Sequence, residues 1–199
     1  MRLREAAEWE NPAEDAIAAM AIFGQVLTQV DDEQLELSTP CADWDVQSLI
    51  SHVVLGDAAV PLLFDGKPLP DVVAIDISIL GPNPVATWRG TALAAIEALR
   101  APGAMDTTLQ HPTGPQLGST VARFRLVDVL THAWDLAHAT NIDIEIPDEL
   151  AESVLEFLLP MFDELRDSDQ FANSVEPPED APAWQRMLGL LGRTAWPDE

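Results

Sequence analysis

The sequence predicts an all-α fold, a helical bundle with long crossing loops and a small C-terminal helical appendage. Three observations carry that prediction. Apolar residues recur at three- and four-residue spacings through most of the chain, the period of a helix with one buried face. Four long segments of this kind are joined by connections of several to about 20 residues, too long for a simple up-down-up-down stack. Apolar residues make up 47% of the 199, enough for a core of domain size.

The elements follow in order. In "EDAIAAMAIFGQVLTQV" (14–30), Ile17, Met20, Phe23, Leu27 and Val30 form one stripe of an amphipathic helix. "ELSTPCADWD" (36–45) is a loop broken by Pro40, and Asp45 is placed to cap the next helix, 46–64, which Pro61 kinks or ends. "DGKPLPD" (65–71) is turn chemistry, and 72–81 reads equally as a short strand or an apolar loop. Asn83 caps a third helix that begins with Pro84 and runs to about residue 100. Residues 101–118 suit a short hairpin or an irregular loop. A fourth helix starts at Ser119 or Thr120 and stops at Asn141. A fifth spans 147–166 with Pro160 inside it, an extended connector follows, and a short helix at 183–193 closes the chain. The expected organisation is one domain, with its bundle over about 11–167 and a C-terminal extension over about 168–199.

Charge excludes some partners. Thirty-four acidic residues against 10 basic ones give a formal net charge of −24. Nucleic acid and anionic membrane surfaces both require a basic footprint, so neither is an expected partner. Cys41 is the single cysteine, which points to a reducing compartment. The first residues lack the apolar run of a signal peptide, and no segment is expected to span a bilayer. The expected location is the cytoplasm.

The fourth helix carries the chemical anomaly. Between Leu126 and Ala139 its apolar residues point in nearly every direction, so neighbours should bury it, yet it holds Asp128, His132, Asp135 and His138. Asp128 and His132 are four residues apart and share a face. A buried carboxylate beside a buried imidazole is costly unless the groups pair or hold a cation. His52 on the second helix is a possible third member, with Gly56 one turn on leaving room beside its imidazole. Two imidazoles and a carboxylate would make a three-ligand site with open positions, as in catalytic zinc sites. A plain hydrogen bond between Asp128 and His132 accounts for the same spacing. His138 is turned away from His132, and His111 has no visible partner. Trp134 reads as core and Trp44 as packing for its loop. Cys41 reads as a small buried residue of that loop rather than a ligand. Asp135 is placed either to orient a histidine through its other ring nitrogen or to make a salt bridge. Arg123 and Arg125 suit ion pairs or an anionic substrate.

"STPCADWDVQSLISHVVLG" (38–56) together with "RFRLVDVLTHAWDLAHATN" (123–141) resembles the metal-binding domain of the mycothiol-dependent maleylpyruvate isomerase type. That type belongs to the DinB/YfiT-like superfamily of four-helix bundles. The matched signatures are TPC-x-x-W-x-V-x-x-L-x-x-H and D-x-x-x-H-x-W-D-L-A-x-A-T, and "DAPAWQRMLGLLGR" is similar to the ending of a single-domain actinobacterial subgroup. The resemblance covers essentially the whole chain. It implies metal ligation by His52, Asp128 and His132, with Asp128 standing where the isomerase has Glu. It further implies a divalent metal, zinc first and nickel or another as alternatives, with mycothiol or a similar low-molecular-weight thiol as co-reactant. The implied activity is thiol transfer or an isomerase-like reaction on a small electrophilic substrate. The isomerase also has a further C-terminal domain contributing to its active site, which makes maleylpyruvate isomerisation itself a poor expectation here. A non-catalytic metal- or ligand-binding, stress-related bundle is the alternative, and a homodimer is compatible with either.

Overall fold

The structure is a computed structural model, and it describes residues 11–69, 75–161 and 173–196. Among these the chain is mostly helical, with one two-stranded sheet. Its contacts divide it into two compact units, 1–144 and 145–199.

The first unit is built from α1 (Pro12–Leu27), α2 (Val46–Phe64), α3 (Pro84–Leu99), a hairpin of β1 (Thr108–His111) and β2 (Gly114–Leu117), and α4 (Gly118–Thr140). Helix α1 packs on α4 and α3, and α2 packs on α3 and α4. The core between them is Met20, Phe23 and Leu27 of α1, Leu49, Ile50 and Val53 of α2, Ala92, Ala95 and Leu99 of α3, and Leu126, Leu130 and Leu136 of α4. The long loops from 28 to 45 and 100 to 117 separate the helices in sequence.

Local chemistry sets the helix ends. Asp45 caps α2 by accepting from the Ser48 N–H (2.8 Å), and Asn83 caps α3 by accepting from the Ala86 N–H (2.9 Å). Pro61 lies in the last turn of α2, where it withholds one donor without ending the helix. Helix α1 stops at Leu27 rather than Val30, because the Thr28 hydroxyl and Gln29 amide donate to the Gln25 carbonyl in place of a further helical N–H. Helix α4 begins at Gly118, ahead of Ser119 and without a side-chain cap. A close approach sets that start: a Cβ at Gly118 would sit 2.0 Å from the Ala104 carbonyl oxygen, and the Gly118 N–H donates to Thr107. Asn141 ends α4 in the left-handed region, at φ 54°.

Residues 101–118 resolve as a hairpin, with Thr108 opposite Leu117 and His111 opposite Gly114. Leu109 anchors it to Leu63 and Val121. Of 72–81, residues 77–80 form a single 3-10 turn, and 72–74 lie outside the described residues.

Helix α2 bears on the expectation that no segment spans a bilayer. Its 19 residues are long and apolar enough to span a membrane by length and composition alone. Two observations make it a core helix: 67% of that window is buried inside the protein, and it carries the polar groups of the site below.

The second unit pairs α5 (Asp148–Leu158) with α6 (Ala183–Leu190). Leu150, Val154, Leu155 and Leu158 of α5 and Met187 and Leu188 of α6 are buried. Asp148 accepts from the Trp184 N–H, and Arg186 pairs with Glu152. The α-helix expected over 147–166 ends at Leu158 and passes into a 3-10 turn, Leu159–Met161, at Pro160. Proline has no N–H to continue the ladder. The rest of that expected helix lies outside the described residues.

Candidate metal centre

Helices α2 and α4 bring His52, Asp128 and His132 together. Asp128 Oδ1 lies 3.0 Å from His52 Nε2 and 3.4 Å from His132 Nε2, and one donor atom from each residue falls within 4.8 Å of the others. Around a tetrahedral zinc with bonds near 2.1 Å, neighbouring donor atoms stand about 3.4 Å apart. The donor set thus has the spacing and the chemistry to accept a divalent cation. Asp128 keeps 28% of its side chain exposed, against 13% for His52 and 10% for His132, so the trio opens to solvent on the carboxylate side.

The surroundings organise these three. His132 Nδ1 faces Asp135 Oδ2 at 3.0 Å, and Asp135 is fully buried. A carboxylate only accepts, so Asp135 fixes a proton on Nδ1, and the neutral ring then has its lone pair on Nε2, the nitrogen that faces Asp128. Trp44 covers both imidazoles, its ring centroid 4.6 Å from that of His52 and 5.5 Å from that of His132. The Thr39 hydroxyl places Trp44 and Cys41, donating to the Trp44 carbonyl (2.8 Å) and accepting from the Cys41 N–H (3.1 Å).

Cys41 departs from expectation. It is half-buried rather than buried, and its thiol donates to Asp135 Oδ2 at 3.3 Å, with Sγ 3.8 Å from His132 Nδ1. It therefore meets His132 on the ring edge opposite Nε2, where it cannot ligate the same ion. Cys41, His132 and Asp135 form a second close trio that shares this histidine.

On the other side of Asp128 stands the ion pairing expected of Arg125, with partners that the sequence did not name. Arg125 donates to Asp128 Oδ2 and to Asp57 Oδ1, both at 2.7 Å, and Asp57 is fully buried. Gly56 makes the room for it: a Cβ there would lie 2.1 Å from Arg125 Nη1. The space at Gly56 thus receives a guanidinium rather than easing an imidazole. Asp57 could have been flagged in sequence by the signal that marks α4, an acidic residue in an otherwise apolar helix.

Titration behaviour follows from this packing. Burial raises the Asp128 carboxyl, but the charges of His52, Arg125 and His132 outweigh it and hold the group well below the usual carboxylate range. Burial lowers His132, yet Asp128, with hydrogen bonds to Asp128, Asp135 and Cys41, lifts it well above an ordinary imidazole. For Asp57 burial dominates the attraction of Arg125 and raises the carboxyl. Three carboxylates (Asp57, Asp128, Asp135) and one guanidinium leave two formal negative charges, the complement of one dication.

The remaining residues fall outside the cluster. His138 is exposed and stacks on the buried Trp134, with ring centroids 4.8 Å apart. His111, expected to lack a partner, bonds Thr113 and packs near Phe124, and burial lowers its pKa. Arg125 makes ion pairs rather than facing an anionic ligand, and Arg123 is half-buried on α4.

The family model of the mycothiol maleylpyruvate isomerase N-terminal domain matches residues 16–137, a span containing every member of the cluster. The chain belongs to this family. It thereby joins the DinB/YfiT-like superfamily, as the two sequence signatures imply. The mycothiol maleylpyruvate isomerase N-terminal domain family is metal-binding and mycothiol-associated. Two uncharacterized proteins of Mycobacterium tuberculosis, from strains CDC 1551 / Oshkosh and H37Rv, are each 33% identical over 186 residues, covering 92% of this chain and 94% of theirs. No solved structure matches.

Proposed function

We propose that this protein binds one divalent metal ion through His52, Asp128 and His132 and acts as a thiol transferase or isomerase-like enzyme on a small electrophile. The thiol is of low molecular weight and mycothiol-like. The observation that supports this most directly is the convergence of two imidazole nitrogens, at 3.0 and 3.4 Å, on Asp128 Oδ1, beside a solvent opening. Zinc suits two imidazoles and a carboxylate best, with nickel or another first-row dication as alternatives. Under this reading the chain is a single DinB-like cytoplasmic domain, a four-helix bundle with a C-terminal extension.

When bound, the dication supplies Lewis acidity that favours the thiolate form of a thiol. The chain's own groups prepare the place. Asp135 holds a proton on His132 Nδ1, so that Nε2 is the nitrogen that gives its lone pair once the proton shared with Asp128 is displaced. Trp44 shields the imidazoles from water. Asp128 supplies negative charge at the solvent-facing edge, where thiol and electrophile enter.

Metal per chain, measured by plasma mass spectrometry on untagged protein, tests the site. Near one equivalent in wild type and little in His52→Ala or His132→Ala is expected. A wild type that takes up none when reconstituted overturns the reading. Thiol consumption with a panel of electrophiles then separates an enzyme from a non-catalytic metal-binding bundle.

A further inference from the structure

Asp128 offers two oxygens, and the network treats them differently. Oδ1 faces His52 and His132, while Oδ2 is taken by Arg125 Nη1 at 2.7 Å. Arg125 is itself held at a second point, with Nη2 2.7 Å from Asp57 Oδ1 and 3.4 Å from the Val53 carbonyl. Gly56 lets the guanidinium lie against the backbone of α2. We infer that Arg125, seated on Gly56 and anchored by Asp57, is a positioning residue that restricts Asp128 to one-oxygen ligation and so keeps free a coordination place that a bidentate carboxylate would fill. The inference rests on the proposed metal site and adds to it the reason the site stays open to a thiol.

Stability does not explain the arrangement. A buried ion pair is often no more stabilising than apolar residues of the same volume. This pair also leaves Asp57 Oδ2 and Arg125 Nε buried with no hydrogen-bond partner among the described residues. What the pair does achieve is geometric. A guanidinium is a planar fork, able to hold two carboxylates at fixed separation, whereas an ammonium is a single point of charge. With α2 holding one carboxylate and α4 the other, the fork ties Asp128 to the helix that carries His52.

The test uses Co2+ as probe, because its visible ligand-field band weakens as coordination number rises. Wild type, Arg125→Lys, Gly56→Ala and the double variant Asp57→Asn/Arg125→Met are titrated with cobalt. The double variant removes both charges of the pair, and Gly56→Ala displaces the guanidinium while leaving every charged group in place. All four should bind one cobalt. The double variant and Gly56→Ala should show a weaker band and an affinity lower by about 10- to 100-fold, the usual cost of losing a group that orients a ligand. Arg125→Lys, which keeps the charge but not the fork, should also show the weaker band. A wild-type band in the double variant or in Gly56→Ala, with affinity within about twofold, overturns the positioning role while leaving the metal site standing. A wild-type band and affinity in Arg125→Lys overturn the two-pronged clamp in favour of charge alone. Failure of wild type to bind cobalt overturns the metal site and the clamp with it.

Discussion

Replacing Asp135 by Asn tests how the site is aimed rather than whether its ligands are present. Asp135 Oδ2 lies 3.0 Å from His132 Nδ1, and the residue is fully buried, so water cannot substitute for it. A carboxylate at that point admits one neutral tautomer, with the proton on Nδ1. An amide of the same shape can turn its NH2 to the ring, which then carries its proton on Nε2, the atom facing Asp128 at 3.4 Å. The carboxylate's negative charge, which raises the basicity of Nε2, is lost as well. Partners of this kind are worth about 10- to 100-fold in metal affinity, roughly 1.4–2.8 kcal/mol. Zinc affinity should be read by competition with a chromophoric chelator at fixed pH, with His52→Ala as the control that removes a ligand outright. Asp135→Asn should fall between wild type and that control. If its affinity stays within about twofold of wild type while His52→Ala loses binding, Asp135 does not set the tautomer and the argument fails.

Two further outcomes follow from the same geometry and from the core. In metal-free protein His132 has a raised pKa, so its contribution to stability is complete below about 6.5, its unfolded value, and is lost as pH rises through the folded value. Zinc takes the neutral imidazole and displaces that proton, so the gain in melting temperature on adding zinc should widen between pH 6 and pH 9. A gain that narrows over this range in calorimetry would contradict the pairing. In the core, Gly24→Ala would place a Cβ 2.1 Å from the rigid ring of Trp88. Overpacking costs about 1–3 kcal/mol, against roughly 0.5–1 kcal/mol gained from better helix propensity. Thermal unfolding should show a melting temperature lower by a few degrees.

Much of the fold was legible because individual residues punctuate it. Asp45, the Asn83–Pro84 pair and Asn141 each mark a helix end through a local hydrogen bond or dihedral, and those ends stand where the spacing predicts. The misread ends have causes that are not periodic. The start of α4 depends on Gly118 meeting Ala104, and the end of α1 on two side chains folding back onto one carbonyl. The site was legible to a similar degree. His52, Asp128 and His132 were marked as polar residues in apolar helices and by a family signature, and the structure brings them within reach of one another. The partners of Asp128 were not, because helical spacing tells which residues share a face but not which long side chain arrives from another helix. Gly56 shows the difference: a vacancy was evident, and the Arg125 that fills it was not.

The electrostatics of the cluster connect these parts. Two uncompensated negative charges near the interior are costly, and the chain has two ways to offset them. Protons are one: His132, held by Asp128 and Asp135, retains a proton well above the usual imidazole range. A dication is the other under the proposed reading: it would neutralise the cluster and release that proton. Proton and dication would compete for the Nε2 atom, so the proposed loading of the site depends on pH. The proposed clamp at Arg125 acts on the carboxylate instead, leaving Oδ1 to face the two imidazoles while Oδ2 accepts from the guanidinium. An apolar helix bearing Asp128, His132 and Asp135 is thus accounted for as half of an electrostatic socket, with α2 supplying His52, Gly56 and Asp57 as the other half.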